Sequence, residues 1–492
     1  MEGIASGGAF LDSGSDTCPF GTKHIENKMI QILSGERKVG KREDRVFNRK
    51  ISVLGMARSG IATARLLSQK GAEVFVSDIK PERELENEIV QLKSLNINFE
   101  VGAHTDRVLE DKDFIVTSPG IPSDVPILKK AEGLGIPIFS EIEVAFWLNR
   151  SPIVAITGSN GKTTTTYLVG EILKQDQKEY RVAGNVGVPF SSVVDEVSDK
   201  GIIVLEVSSF QLEKIEEFKP KVASILNITP DHLDRYPDLK SYQEAKLRLL
   251  ENQTPEDYTV LNADDLVSSS LSPYTQAKKL HFSIKNDVEE GVLVRGENLV
   301  LKSKKGETEI ISTKDIAIKG PHNLSNAAAA CAMAYALEID TSSMARALKE
   351  FKGVEHRLEY VATIGGIKFI NDSKATNVDS VWYALQSVDE PIILIAGGKD
   401  KGGDFTRLGE LVKSKVRKLI LIGQAKEKIK RELSGLVDTV EAETLEQAVK
   451  LGFEKAQSGD VVLLSPACAS FDMFKDFEDR GRKFKLAVHN LK

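Results

Sequence analysis

The feature that most constrains the fold of this chain is a glycine turn between an apolar run and a helical pattern. Residues 152–156 are apolar, and the turn at residues 157–164 reads Thr-Gly-Ser-Asn-Gly-Lys-Thr-Thr. Apolar residues from 167 to 173 then recur at helical spacing. The backbone N–H groups of such a turn, together with the N-terminus of the helix that follows, favour a bound anion. The sequence therefore predicts an α/β fold with a nucleotide phosphate site on this turn.

Two side chains of the turn carry chemistry that a phosphate site needs. Lys162 would direct its charge toward the outer phosphates, and the Thr163 hydroxyl would ligate Mg²⁺. The first glycine of the standard phosphate-loop pattern is Ile156 here, so the pattern is incomplete. We predict that ATP is bound by the whole turn, which comprises Gly158, Ser159, Asn160, Gly161, Lys162, Thr163 and Thr164.

The length of the chain and its alternating strands and helices indicate three domains. The 492 residues exceed what one core usually supports. In chain order we predict a disordered N-terminal extension, a Rossmann-like domain, a central P-loop ATPase-type domain and a second Rossmann-like, doubly wound domain, over residues 1–49, 50–149, 150–352 and 353–492. Within the central domain, residues 291–312 alternate in polarity around two glycines, which predicts a β-hairpin insertion.

Composition excludes several classes of protein. The 66 basic and 72 acidic residues give a net charge of −6, so a nucleic-acid partner is not expected. No apolar run approaches the roughly 18 residues of a membrane span, so membrane insertion is not expected either. The three cysteines are too few and too scattered for a disulfide framework or a zinc cluster. We predict a cytoplasmic protein.

A β-α-β unit near the start of the folded chain has the spacing of a dinucleotide fingerprint. The strand at residues 51–55 leads into a turn between Gly55 and Gly60, and Asp78 follows about twenty positions later. The middle glycine of that fingerprint is Ala57 here. A tight β-α turn without a ligand and a nucleotide-sugar site therefore both remain open.

Two residues of the central domain stand where Mg²⁺ ligands are expected. Glu206 ends an apolar strand at residues 202–205, and His232 follows the next strand. Carboxyl ends of parallel strands form the ligand-binding edge of a sheet. The alternatives are that Glu206 caps a helix and that His232 belongs to a surface loop.

Three strands of the last domain also end in polar or glycine turns. These turns lie at residues 371–374, 397–401 and 465–468. Because the ends of parallel strands meet at one edge of a sheet, the turns predict a site at a domain interface.

Taken together, these motifs resemble the Mur ligase family. The resemblance rests on the motifs at residues 158–164, 184–185, 206–211, 231–232 and 322–323, in this order. In the last domain, residues 371–377 (Asn-Asp-Ser-Lys-Ala-Thr-Asn) and 464–472 (Leu-Ser-Pro-Ala-Cys-Ala-Ser-Phe-Asp) resemble the glutamate-adding branch. The resemblance extends over residues 50 to 490.

The resemblance implies a set of site residues. Catalytic roles fall on Lys162, His232, Lys246 and Lys401. Two Mg²⁺ ions would be held by Thr163, Glu206, His232 and Lys246, the last carbamylated by CO₂. ATP contacts beyond the turn fall on Asn323, Asn326, Arg357 and Asp372. The UDP substrate would contact Arg58, Ser59, Asp78, Lys80, Asn185, Ser208 and Gln211. D-glutamate would contact Thr376, Lys401, Ser470, Phe471 and Phe477. Because an extra lysine precedes Lys401, Lys399 remains an alternative.

The resemblance also implies an activity. ATP would activate UDP-N-acetylmuramoyl-L-alanine as an acyl phosphate, which D-glutamate then attacks, in peptidoglycan precursor synthesis by a monomeric enzyme. Three alternatives remain at this point: a ligase of the family that adds another amino acid, a P-loop nucleotide switch or transport ATPase that forms no amide, and a nicotinamide dehydrogenase.

Overall fold

The computed structural model of the chain describes residues 42–230, 235–433 and 435–491. The chain divides into two units, Met1–Arg42 and Glu43–Lys492. The strands of the second unit form three sheets. Among the described residues, no helix combines the length and the apolar character that crossing a bilayer requires.

The first sheet has five parallel strands in the order β3-β2-β1-β4-β5, as in a Rossmann-like domain. Its strands are β1 (Lys50–Leu54), β2 (Glu73–Asp78), β3 (Asn98–Val101), β4 (Phe114–Thr117) and β5 (Ile138–Ser140). Its helices are α1 (Arg58–Gln69), α2 (Glu86–Ser94), α3 (Pro126–Gly133) and α4 (Glu141–Leu148). Strand β4 is wholly buried, which is why its sequence is continuously apolar and does not alternate.

The second sheet has nine strands in the order β14-β13-β12-β11-β10-β9-β6-β8-β7. The strands are β6 (Ile153–Thr157), β7 (Tyr180–Gly184), β8 (Ile202–Glu206), β9 (Val222–Ile225), β10 (Tyr258–Asn262), β11 (Lys278–Ser283), β12 (Gly291–Arg295), β13 (Asn298–Ser303) and β14 (Gly306–Ser312). The helices are α5 (Lys162–Gln175), α6 (Phe190–Val193), α7 (Ser209–Leu212), α8 (Leu239–Leu247), α9 (Leu266–Ser269), α10 (Pro321–Ala336) and α11 (Thr341–Glu350). The alanine-rich α10 packs closely on α5 because its side chains are small.

The predicted insertion at residues 291–312 is not a separate hairpin. It forms three strands, β12 to β14, of which β12 pairs in parallel with β11. The β12–β13 and β13–β14 pairs are antiparallel. The segment therefore extends the central sheet, since its backbone groups find partners on the edge of β11.

The third sheet has six strands in the order β15-β16-β20-β17-β18-β19, with β15 antiparallel at one edge. Its strands are β15 (Glu359–Ile364), β16 (Ile367–Asn371), β17 (Ile392–Gly397), β18 (Val416–Ile422), β19 (Asp438–Glu441) and β20 (Val461–Leu464). Its helices are α12 (Val378–Ser387), α13 (Gly409–Lys415), α14 (Lys426–Glu432), α15 (Leu445–Lys455) and α16 (Phe477–His489). The edge strands β15 and β19 were not predicted, because β15 is partly exposed and β19 is short, and neither is a continuous apolar run. The predicted α/β class is confirmed.

Of the extension predicted over residues 1–49, residues 1–41 lie outside the described residues. Close to its end, however, the chain is packed. Val46 is fully buried in the first core, and the Arg45 guanidinium lies 2.8 Å from a carboxylate oxygen of Glu217. The Asn48 N–H donates to the Gly71 carbonyl at 3.0 Å. Residues 44–49 thus differ from the predicted disordered extension and belong to the folded chain.

We expect a chain that begins at residue 49 to melt several degrees below one that begins at residue 42. Removal of Val46 exposes the apolar surface that it covers, which costs at least about 1.5 kcal/mol. Thermal unfolding of the two truncations measures the difference, with the chain that begins at residue 42 as the control. Equal melting temperatures would show that residues 42–48 contribute nothing to stability.

Candidate functional site

The phosphate loop connects β6 to α5, as the glycine turn predicts. Its two glycines have positive φ angles, +152° at Gly158 and +84° at Gly161. A Cβ atom on Gly161 would lie 2.4 Å from Oδ1 of Asn326, which approaches from α10. Glycine is favoured at this position because a residue without a side chain leaves room for Asn326 and adopts the positive φ angle without strain.

The loop is held by the polar residues that follow β9. The Asn160 N–H donates to Asn227 Oδ1 at 2.8 Å, and Asn227 Nδ2 donates to the Asn160 carbonyl at 3.1 Å. The Ser159 hydroxyl donates to the Thr229 carbonyl and accepts from the Thr229 N–H, at 2.8 and 2.9 Å. These bonds fix the loop before any ligand binds, which reduces the entropy lost on binding.

Two lysines converge on the loop. Lys162 Nζ donates to the carbonyls of Gly158 at 2.7 Å and Ser159 at 2.9 Å. Lys246 Nζ, from α8, donates to the same Gly158 carbonyl at 3.0 Å and lies 4.4 Å from the centre of the Tyr242 ring. The Lys246 side chain is only 1% exposed. Two predicted catalytic residues that are distant in sequence are thus adjacent in the structure.

A pair of buried oxygens lies next to the loop at the carboxyl edge of the central sheet. Glu206, at the end of β8, pairs with Ile156 of β6, and Thr163 is the second residue of α5. Within the described part of the chain, no hydrogen bond of good geometry reaches Glu206 Oε2 or Thr163 Oγ1, although Thr163 lies near enough to Glu206 to help lower the pKa of the carboxyl group. Buried oxygens without partners are costly unless a ligand satisfies them, and oxygen ligands suit Mg²⁺. The residues therefore fit a magnesium ion.

The charge of Glu206 is maintained by its surroundings. Burial by itself raises the pKa of Glu206, but the charges of Lys374 and Lys162 and a 2.7 Å hydrogen bond from Asn185 Nδ2 lower it below its ordinary value. An ionised carboxylate is the form that binds a cation. The alternative that Glu206 caps a helix is wrong, because the N-cap of α7 is Ser208. His232 lies outside the described residues.

Two cationic side chains of the last domain, Lys374 and Arg357, interact with the Glu206 carboxylate. Burial lowers the pKa of Lys374 to about 8, against the opposing effect of Glu206, and Lys374 Nζ lies 5.0 Å from the centre of the Phe477 ring. Burial also lowers the pKa of Arg357, whose charge interacts with Asp372 and Glu206. Lys374 was not among the predicted site residues, although it lies in the polar turn at residues 371–374.

A cavity of about 680 Å³ lies between the central and last domains, beside the phosphate loop. Seven of the predicted ATP residues line it: Asn160, Gly161, Thr164, Asn323, Asn326, Arg357 and Asp372. The lining residues that were not predicted as site residues include His322, Ser380, Trp382 and Tyr383. The volume is within the range of small-molecule and cofactor sites.

Asp372 is held rigidly at the wall of the cavity. Burial raises its pKa to about 7, although it accepts hydrogen bonds from the Ser465 hydroxyl at 2.7 Å and the Leu358 N–H at 3.2 Å. The Ser465 bond joins the end of β16 to the end of β20, and the Leu358 bond joins it to the segment before β15, so the two bonds fix the orientation of the carboxyl group.

Four of the predicted glutamate residues follow three neighbouring strand ends, those of β16, β20 and β17, and the fifth, Phe477, is the first residue of α16. Ser470 is buried, Thr376 and Lys401 are half-buried, and Phe471 is 69% exposed. Lys399 is exposed, and its backbone N–H and carbonyl pair with those of Ala469 at 2.9 and 3.0 Å. This pairing brings the turn of Lys401 against the turn of Ser470.

Arg480 connects two of these turns, and the sequence analysis did not predict this role. It is fully buried on α16, where its guanidinium donates to the Ser373 hydroxyl at 2.9 Å, the Ser373 carbonyl at 2.8 Å and the Cys468 carbonyl at 3.2 Å. Burial lowers its pKa to about 10. An arginine on a charged helix reads as a surface residue, so no local signal marks it.

The predicted UDP-substrate residues of the first domain surround the turn after β1. Asp78 accepts hydrogen bonds from the Met56 N–H at 2.7 Å and the Lys80 N–H at 2.9 Å, so its carboxylate supports the turn itself. Arg58 and Lys80 are exposed and Ser59 is half-buried. The bonds of Asp78 account for the acidic residue of the fingerprint, and a nucleotide-sugar site there stays a prediction.

The other three predicted UDP-substrate residues lie in the central domain near Glu206. Asn185 donates to Glu206, as described above, and its N–H donates to the Glu206 carbonyl at 2.8 Å. The Ser208 N–H donates to Gln211 Oε1 at 3.0 Å in a capping box at the start of α7. The three side chains are thus positioned at the carboxyl edge of the sheet.

Three segments of the chain match models of known domains. Residues 49–140 match the Mur ligase MurD-like N-terminal domain, residues 156–334 the Mur ligase middle domain, and residues 356–468 the Mur ligase glutamate ligase domain. A UDP-N-acetylmuramoylalanine–D-glutamate ligase of Koribacter versatilis is 46% identical over 446 residues, 91% of this chain and 98% of that protein. The chain belongs to the Mur ligase family. A ligase of the same name from Geotalea daltonii is 45% identical over the same shares.

Solved structures of Mur ligases have the same fold. A UDP-N-acetylmuramate–alanine ligase of Thermotoga maritima matches with a TM-score of 0.59 at 20% identity, over 90% of this chain and all of that one. A pseudomurein peptide ligase type C of Methanothermus fervidus matches with a TM-score of 0.58 at 22% identity, over the same shares. The Mur ligase architecture predicted from the motifs is confirmed.

Proposed function

We propose that this Mur ligase joins D-glutamate to UDP-N-acetylmuramoyl-L-alanine, with ATP converted to ADP and phosphate, in peptidoglycan precursor synthesis. The observation that carries the proposal is the cavity beside the phosphate loop, which Arg357, the turn at residues 371–377 and helix α12 of the last domain line from the other side. The relatives at 44–46% identity are named as ligases of this specificity. A switch, a transport ATPase or a dehydrogenase has no need of the last domain.

The chemistry requires activation of a carboxylate. A carboxylate is a poor acyl donor, so the alanine carboxylate first takes the γ-phosphoryl group of ATP, which releases ADP. The amine of D-glutamate then attacks the acyl phosphate, loses a proton and displaces phosphate. Three anionic groups must meet in this reaction. Lys162, Lys374 and Arg357 lie where their charges would offset that repulsion.

Mg²⁺ is the cofactor that the buried oxygens fit. Thr163 and Glu206 would hold one ion, and His232 with a carbamylated Lys246 would hold a second. Bound there, the ions would screen the negative charge of the triphosphate and of the phosphoryl group in transfer. The Glu206 carboxylate, ionised because of its neighbours, is the anchor of this arrangement.

The cavity would hold the nucleoside, with its phosphates on the loop at residues 158–164. Asn323 and Asn326 of α10 are the contacts that we propose for the base side, and Arg357 and Asp372 those from the last domain. The orientation of Asp372 is fixed by its bonds to Ser465 and Leu358, so a ligand hydroxyl would meet a preformed acceptor.

The two other substrates would approach from either side. Arg58, Ser59, Asp78 and Lys80 would contact the uridine diphosphate part, while Asn185, Ser208 and Gln211 would contact the part nearer the reaction. For D-glutamate we propose Thr376, Lys401, Ser470, Phe471 and Phe477. We propose that the enzyme is a monomer, and we place the reaction in the cytoplasm.

ADP release across a panel of amino acids tests the proposal. With ATP, Mg²⁺ and UDP-N-acetylmuramoyl-L-alanine, D-glutamate should stimulate release, whereas D-alanine should not, because a site built for a second carboxylate rejects a ligand without one. Preference for L-alanine or a diamino acid would overturn the specificity. Release that no amino acid affects would favour the nucleotide switch.

We expect Lys401→Ala to raise the KM for D-glutamate about tenfold or more, with a much smaller effect on the KM for ATP. Loss of a hydrogen bond to a charged group costs about 1.5 to 3 kcal/mol. Lys399→Ala is the matched control, because Lys399 is exposed and uses its backbone to pair with Ala469. If Lys399→Ala impairs glutamate use and Lys401→Ala does not, the assignment is wrong by two residues.

A further inference from the structure

Helix α12 of the last domain crosses the nucleotide cavity and touches the central domain at both of its ends. Six of its residues line the cavity: Ser380, Trp382, Tyr383, Ala384, Gln386 and Ser387. The helix begins directly after the turn at residues 372–377, which carries Asp372, Lys374 and Thr376. Any movement of α12 must therefore move this turn.

The first contact is made to the phosphate loop. The Ser380 hydroxyl donates to Oδ1 of Asn160 at 3.0 Å. The N–H of the same serine donates to Oδ1 of Asn377, the N-cap of α12, at 2.8 Å. Ser380 therefore connects a residue of the phosphate loop with a residue of the glutamate-binding turn.

The second contact lies at the far end of the helix. The Ser387 hydroxyl lies 3.2 Å from His322 Nδ1 and 2.7 Å from the Tyr383 carbonyl. A hydroxyl has one proton to donate, and that of Ser387 is donated to the Tyr383 carbonyl. Ser387 can therefore only accept from His322, whose Nδ1–H is the donor. Burial lowers the pKa of His322 to about 4, so the ring stays neutral near pH 7. His322 adjoins Asn323, the residue proposed for the base side.

Asn160, the partner of Ser380 in the phosphate loop, is held by its own neighbours. Asn160 is bonded through its backbone to Asn227 and through Nδ2 to Thr229 Oγ1 at 3.4 Å. Its Oδ1 is the atom that faces the last domain. The fixed loop presents this acceptor to Ser380, so a shift of Asn160 caused by a bound phosphate would be passed to Ser380.

We propose that Ser380 is a positioning residue that couples occupation of the phosphate loop to the placement of the glutamate-binding turn. The Ser380–Asn160 bond joins the phosphate loop to the last domain, and through the start of α12 it sets the position of Lys374 and Thr376. This inference rests on the proposed function for its substrate, but the coupling itself is a property of the two domains.

Ser380→Ala tests the coupling by its kinetic signature. Loss of one hydrogen bond should raise the KM for D-glutamate about threefold to tenfold while the Kd of ADP changes less than twofold. Ser380→Thr keeps the hydroxyl and should restore the wild-type KM. In an Asn160→Ala background the Ser380→Ala change should add nothing, because the partner is already gone. Ser414→Ala, a serine on exposed α13 that bonds only within its own helix, is the matched control.

Small-angle scattering provides a measurement that does not depend on the reaction. With ADP and Mg²⁺ the wild-type chain should be more compact than Ser380→Ala at equal melting temperature. Identical scattering, or an unchanged KM for D-glutamate in an active Ser380→Ala enzyme, overturns the coupling. Absence of D-glutamate-dependent ADP release in the wild type would instead overturn the proposed function, and the scattering comparison would still decide the coupling.

Discussion

Replacing Lys162 with alanine should reduce ADP formation at least about a hundredfold while the fold stays intact. The loss of one preorganised group that stabilises developing charge typically costs this much or more. The ammonium group now lies on the carbonyls of Gly158 and Ser159, at the start of α5, where a phosphate would draw it away. Its two bonds to the loop come from a charged group and contribute about 1.5 to 3 kcal/mol each at most, so the melting temperature should fall while the protein stays folded at the assay temperature.

Lys174→Ala provides the matched control, since Lys174 lies on the same helix and pairs only with Glu171 at the surface. Activity with ATP and D-glutamate, and melting temperature, are the two measurements. Full ADP-forming activity in a folded Lys162→Ala protein would remove the phosphate site from this loop.

The parts of the site that could be predicted are those that follow a strand. The phosphate loop after β6, Glu206 at the end of β8 and the three polar turns of the last domain all interrupt apolar runs. Burial on both faces makes parallel strands continuously apolar, so a polar residue at their carboxyl end stands out. Their meeting at one edge follows from the parallel arrangement alone.

The parts that could not be predicted depend on contacts between distant segments. Arg480 has the sequence surroundings of a surface arginine, and only the fold shows that it joins the turns of Ser373 and Cys468. Ser380 likewise reads as an ordinary residue of the first helical turn until Asn160 is placed opposite it. Such roles arise from tertiary packing, to which local periodicity is blind.

The sequence pattern also failed to predict the packing of residues 44–49 and the pairing of β12–β14, for a different reason. In both, the sequence is polar or alternating, which is typical of exposed segments. Val46 is one apolar residue among charges, yet it fills the first core. The strands β12 to β14 find their partners on β11, so their place is decided by an edge that the sequence does not mark.

Replacing Lys246 with alanine should leave the enzyme nearly inactive. Lys246 is buried beside the loop, 3.0 Å from the Gly158 carbonyl and 3.4 Å from the Thr157 hydroxyl. An ammonium group there would repel Mg²⁺, whereas a carbamate is an anion with two oxygens, the kind of ligand that Mg²⁺ prefers. To form it, the amine nitrogen bonds to the carbon of CO₂ and loses a proton.

A small added carboxylate should partly restore activity to Lys246→Ala, because it can place an anion in the space that the side chain leaves. The same carboxylate should not restore Lys162→Ala, since that change removes a cation, so the two variants control for each other. Carbon-13 NMR after equilibration with labelled bicarbonate provides a measurement apart from activity, with a carbamate signal expected in the wild type and absent from Lys246→Ala. Full activity of metal-loaded wild-type enzyme without that signal would contradict the carbamate. A buried lysine that donates to the loop carbonyl would then act by holding the loop, and Lys246→Ala should lower the melting temperature along with the activity.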